Sequence, residues 1–179
     1  MDWYTVFKLL HVLTAIIWIG GVFVMLMLGI HAAKSRDDAQ LVQVVQQMGW
    51  AAERIYVPAS IATVLLGMVV AALGDMWSYL WVIVGLAGMA ITMALGILAL
   101  TPRVKKIAAI HAVTPETIAI SRQTLTLVKF DCAALFVVVA DMVLKPQIDD
   151  WTTMAVMTIV VLGAAAIWLA PGLRRVSPA

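Results

Sequence analysis

The chain has 179 residues, of which 64% are hydrophobic and 12% charged, with a mean hydropathy of +1.02; a soluble domain carries roughly 25% charged residues, so an ordinary water-soluble fold is excluded. A formal net charge of +2 is too small to point to a nucleic-acid partner, and the single cysteine, Cys132, excludes an intrachain disulfide. Apolar stretches recur along the whole length, which identifies an integral membrane protein of one domain, an all-α polytopic helix bundle.

The first apolar run contains LHVLTAIIWIGGVF, residues 10–23. It belongs to a predicted span of about 5–30, longer than the apolar region of a signal peptide and preceded by no basic segment, so it reads as a membrane helix and not a cleaved leader. On an ideal helix His11, Ala15, Trp18 and Val22 share a face, with Gly21 close to it. Gly20 and Gly21 allow another helix or a flat cofactor to approach the backbone, and a neutral imidazole is a ligand for iron or copper. The competing reading is a histidine hydrogen-bonded to a neighbouring helix, with Trp18 and the glycines packing. His31 ends the same span about 30 Å further along, so one iron cannot take both. His111 falls in an inner loop and approaches only the His31 end.

After this span, Asp37 and Asp38 are helix-capping residues, and Leu41, Val44, Val45 and Met48 follow at one-face spacing. The pattern predicts a helix over 38–50 that either lies at the inner interface or extends the next span inward. The second span covers about 55–74 and the third about 79–100, where Gly85 and Gly88 suit close packing. In the loop 101–124, Thr114 and Pro115 mark a helix start. The fourth and fifth spans cover about 125–144 and 152–170. No nucleotide-binding glycine motif, CxxC or HExxH is present.

Lys and Arg collect in residues 31–54, in residues 101–124 and at Arg174 and Arg175, while GDMWSY and KPQIDDW hold one lysine and three aspartates. The positive-inside rule then places the long loops and the C-terminus in the cytoplasm and the N-terminus outside, which requires the odd number of spans read above. Trp3, Tyr4, Trp77, Tyr79, Trp81 and Trp151 fall at the predicted outer boundary, and Trp50, Tyr56 and Trp168 near the inner one, as aromatic belts do.

Ionisable residues inside spans are functional candidates. At the outer level stand His11 and Asp141, the latter four residues before Lys145 and so a candidate helix pair. At the inner level stand Glu53, Arg54, Lys129 and Asp131, two charges of each sign. They read as a salt-bridge network locking the second and fourth helices, with Arg54 alternatively a carboxylate or propionate clamp; Glu53, Lys129, Asp131 and Asp141, together with His11, are alternatively steps of an ion path. Among the 11 methionines, the pairs Met89/Met93 and Met154/Met157 have same-face spacing. They serve either as apolar filling or as soft ligands for Cu(I).

Three segments, LHVLTAIIWIGGVF, RIYVPASIATVLLG (54–67) and FDCAALFVVVADMVLKP (130–146), resemble in order the bacterial integral membrane family catalogued as domain of unknown function 2269. That resemblance implies a bacterial cytoplasmic membrane location and no particular activity. The first span, through His11, Trp18, Gly20 and Gly21, is also similar to that of HemJ-type protoporphyrinogen oxidases and CopD-type copper-resistance proteins. The HemJ-type likeness implies haem b with His11 as axial ligand to the iron and Trp18, Gly20 and Gly21 as a wall against the macrocycle. The YLPR-like stretch of that family is absent; the chain reads VMLMLG there. The leading expectation is a haem-b-binding membrane protein with electron-transfer or oxidase chemistry on a quinol or porphyrin. The alternatives are an accessory subunit of a larger membrane complex or homo-oligomer, and copper or small-solute transport. No catalytic residue is assigned.

Overall fold

The computed structural model describes residues 2–110 and 112–169; His111, Arg174 and Arg175, used in the loop and orientation arguments, lie outside them. The described residues form five long helices: α1 (Trp3–Lys34), α2 (Asp38–Leu73), α3 (Leu80–Ala109), α4 (Pro115–Leu144) and α5 (Trp151–Trp168). No strand occurs among them. α1, α2, α3 and α5 are each long and apolar enough to cross a membrane. α4 is 30 residues long but carries Lys129, Asp131 and Asp141 within its apolar stretch, which sets it apart from the others.

The helix starts follow local chemistry. Asp2 caps α1, accepting the Tyr4 N–H at 3.2 Å and the Thr5 hydroxyl at 3.1 Å. Asp37 caps α2 by accepting the N–H groups of Ala39 and Gln40 at 3.0 and 3.1 Å. Thr114 caps α4 in a reciprocal capping box with Thr117 and with Pro115 in the first turn. The starts expected at Asp37/Asp38 and at Thr114/Pro115 are therefore where the helices begin.

At the inner end the helices run on beyond the apolar spans. Of the two forms expected for the helix over 38–50, the one that extends the next span inward is observed: it runs through a π turn, Ala52–Tyr56, into Val57–Leu73. The helix of the third span passes through a second π turn, Gly96–Leu100, to Ala109, and α4 begins at Pro115, ten residues before the apolar stretch read from about 125. Two prolines explain the π turns. Pro58 and Pro102 lack the N–H that an α-helix would donate to the carbonyls of Arg54 and Leu98, and their rings crowd those carbonyls. A widened turn accommodates both problems. Val57 N–H bonds to Ala52 O and Thr101 N–H to Gly96 O, five residues back in each case. Side chains serve the loosened turns: Thr101 donates its hydroxyl to Gly96 O at 2.9 Å and Arg103 its guanidinium to Ala99 O at 2.7 Å.

These extensions build a packed inner end, the end holding the α1–α2 and α3–α4 turns. Leu41, Val45 and Met48 of α2 bury against Leu26 of α1, Ile107 of α3 and Leu125 of α4. Arg122–Asp38 at 3.1 Å joins α4 to α2, and Lys106–Glu116 at 2.6 Å joins α3 to α4. Along the rest of the bundle α1 lies on α2, α4 on α3 and α5 on α4. Large apolar side chains such as Ile16, Ile91, Ile159 and Leu162 face outward, as a lipid-facing surface requires.

Candidate functional site

The first-span stripe faces α2, and its members meet different partners. His11 Nδ1 bonds to the carbonyl of Thr63 at 2.8 Å. A carbonyl only accepts, so Nδ1 is the donor and carries a proton. The imidazole lies against Gly67; a Cβ there would stand 2.9 Å from its Cε1. Two turns inward, Trp18 is buried with Met89 and Leu135. Gly21 lets the Tyr56 ring approach the α1 backbone, while Gly20 faces away with nothing near its missing Cβ. The structure thus brings His11 to a helix–helix contact and does not gather Trp18, Gly20 and Gly21 around it.

The polar clusters also differ from expectation. Glu53, Arg54, Lys129 and Asp131 form no salt bridge with one another; the ion pairs among the described residues are the two at the inner end. Arg54 lies over the Trp50 ring, 5.1 Å from its centroid. Asp141 pairs with neither Lys145 nor His11. Lys145 adopts left-handed backbone (φ 50°) at the end of α4, and its ammonium sits 5.4 Å from the Trp81 ring centroid. The Asp141 carboxyl is fully buried against Gly85, and neither of its oxygens has a partner. It borders an outer cavity of about 240 Å³ between α3, α4 and α5, where Val84, Phe130, Met154 and Met157 contribute the wall.

A second, inner cavity of about 220 Å³ lies between α1, α2, α3 and α4. Both π turns border it: Ala52, Glu53 and Tyr56 from one, Gly96, Ile97 and Leu100 from the other. Trp18, Met25, Met48 and Met93 supply apolar wall, and Ser60, Thr92 and Thr124 the hydroxyls. Those hydroxyls are committed to backbone carbonyls of their own helices, Val57 O, Met89 O and Ile120 O, at 2.8 to 3.0 Å. Asp131 is different. It is 8% exposed, borders the cavity, and its Oδ1 has no hydrogen-bond partner. Glu53 and Lys105 stand at the mouth, both exposed.

No group of three or more His, Cys, Asp or Glu side chains suited to a metal ion occurs among the described residues. The sequence places Asp131 in a cluster with Glu53, Arg54 and Lys129 and Tyr56 in an aromatic belt, but that pattern does not reveal the cavity that both line. The available signal was a proline inside each of two apolar runs, in RIYVPAS and LALTPRV.

Residues 5–146 match the model of a family described as predicted integral membrane protein (DUF2269), and the chain belongs to that family. No curated protein and no solved structure matches the chain.

Proposed function

We propose that the chain is a five-span protein of the bacterial cytoplasmic membrane, with its N-terminus outside and C-terminus cytoplasmic, that binds a membrane-soluble small molecule in the inner cavity. Counting α4 as the remaining span follows from its length and from its place between α3 and α5, and the Lys and Arg distribution supports the orientation. The observation that carries the ligand reading is Asp131: a buried carboxylate whose Oδ1 has no partner, opening on a mainly apolar cavity. Convergence of an apolar pocket with an isolated polar group is the usual form of a small-molecule site. The π turns strengthen it, since such turns concentrate at functional positions. The test is a thermal-shift screen of the purified protein against small membrane-soluble aromatics, beside Ser60→Leu, which fills the cavity. Stabilisation of the wild type and none of the variant is expected; equal response of both places binding elsewhere.

A second reading keeps haem b, on one observation. A metal-ligating histidine characteristically donates its other ring N–H to a carbonyl, and the His11–Thr63 bond has that form. The rest of the fit is poor: His11 borders neither cavity, and Trp18, Gly20 and Gly21 do not converge on it. Bound haem would supply one-electron chemistry toward a quinol or porphyrin; in this chain His11 would hold it and Thr63 would orient His11. The check is an absorption spectrum, oxidised and dithionite-reduced, beside His11→Ala. A Soret band lost in the variant supports haem, and a colourless protein from haem-replete cells ends that reading.

A further inference from the structure

We propose that the inner cavity takes the headgroup of a lipophilic organic cation, a quaternary or protonated amine, with its charge at Asp131 and its substituents against Trp18 and Tyr56. The proposal rests on the reading of this cavity as a ligand site and names the chemistry of the ligand.

A carboxylate has acceptors only, and a buried one is costly unless paired. Among the described residues no ion pair reaches Asp131. Arg54 is stacked on Trp50. Arg103 is engaged with Ala99 O, and Lys106 and Arg122 are held in ion pairs. Lys129 is two residues away on the same helix, and residues so spaced do not face each other. Lys105, the basic residue that lines the cavity, is exposed to solvent, as is the second carboxylate there, Glu53, and forms no ion pair with Asp131. The positive partner is therefore left to a ligand.

The walls fit an organic cation better than a metal ion. The electron-rich faces of Trp and Tyr attract ammonium groups, and Trp18 and Tyr56 both line the cavity beside Asp131. Met25, Met48 and Met93 offer adaptable thioether walls to alkyl substituents. The volume of about 220 Å³ is below the roughly 300–1,000 Å³ of typical small-molecule sites, which suits a headgroup more than a whole amphiphile. Ile61 and Ile97 line the cavity yet are 44% and 64% exposed. The cavity thus opens sideways between α2 and α3, and an apolar tail can remain in lipid.

The experiment compares benzyltrimethylammonium with its neutral isostere neopentylbenzene, titrated by calorimetry into the full chain in lipid nanodiscs. Wild type should bind the cation tighter by on the order of tenfold or more. Asp131→Asn should erase that preference while leaving affinity for the isostere unchanged, and Tyr56→Leu should weaken the cation more than the isostere. Equal affinity for the two probes in the wild type overturns the cation assignment and leaves the cavity reading standing. Binding of neither probe overturns both. If Asp131→Asn does not fold, the wild-type comparison and Tyr56→Leu decide the matter between them.

Discussion

His11 occupies the space a side chain at Gly67 would need: a Cβ on Gly67 would lie 2.9 Å from the imidazole Cε1 and 3.1 Å from the Nδ1 that bonds to Thr63 O. α1 and α2 are joined by this insertion of a ring onto bare backbone. Gly67→Ala should push the imidazole off Thr63 and lower stability by about 1–3 kcal/mol, the usual cost of overpacking. Gly20→Ala is the control, because nothing stands within 4 Å of that position; it should be neutral or slightly stabilising. Unfolding in detergent by a graded denaturant measures both. Equal behaviour of the two variants would mean that His11 is not seated at Gly67.

α3 and α4 meet through another glycine. A Cβ on Gly88 would lie 2.7 Å from Val138 Cγ2. Gly88→Ala alone should destabilise by about 1–2 kcal/mol, and adding Val138→Ala should recover part of that loss, since the two side chains compete for one space. A double-mutant cycle reads the coupling; strictly additive effects would show that the contact is absent.

Much of this fold was legible in the sequence, and the reasons are local. Asp37 and Thr114 are capping chemistry, so the starts of α2 and α4 could be placed to within a residue. The end of α3 could not, because hydropathy falls where the helix leaves the predicted hydrocarbon layer while the backbone stays helical. Pairing was less accessible still. Glu53, Arg54, Lys129 and Asp131 were expected at one depth, which suggested a network, but depth does not set azimuth. The π turns at Ala52–Tyr56 and Gly96–Leu100 shift the phase of α2 and α3 partway along, so faces extrapolated from an ideal helix are wrong beyond them. Trp18 could be placed on the His11 stripe from spacing alone; that Tyr56 would close over Gly21 beside it could not.

The inner end should draw its stability from packing and not from its ion pairs. Leu41 and Val45 are 1% and 0% exposed within the inner core, whereas the side chains of the Arg122–Asp38 pair are 56% and 44% exposed. Leu41→Ala should cost about 2–5 kcal/mol, while Arg122→Ala should cost well under 1 kcal/mol, less at high salt, because solvent screens an exposed pair. Denaturation of the two variants at low and high ionic strength separates the terms. A larger loss for Arg122→Ala would show that the pair organises the helix ends.

Asp141 makes the opposite case, a polar group whose removal should help. Its side chain is fully buried, neither oxygen has a partner, and Gly85, Val138 and the wall of the outer cavity surround it. A buried acceptor left unmade costs about 1–3 kcal/mol, and replacing buried charge by apolar groups of similar volume is often stabilising. Asp141→Leu should therefore raise stability by about that amount, with room for the larger side chain in the adjoining 240 Å³. Asp141→Asn should gain less, because its amide still lacks partners. Melting temperatures of both variants in detergent test the order. If both variants lose stability, the carboxylate is bonded in the working protein to a water, an ion or a ligand, and the outer cavity then holds a second polar site 10 residues, about 15 Å, along α4 from Asp131.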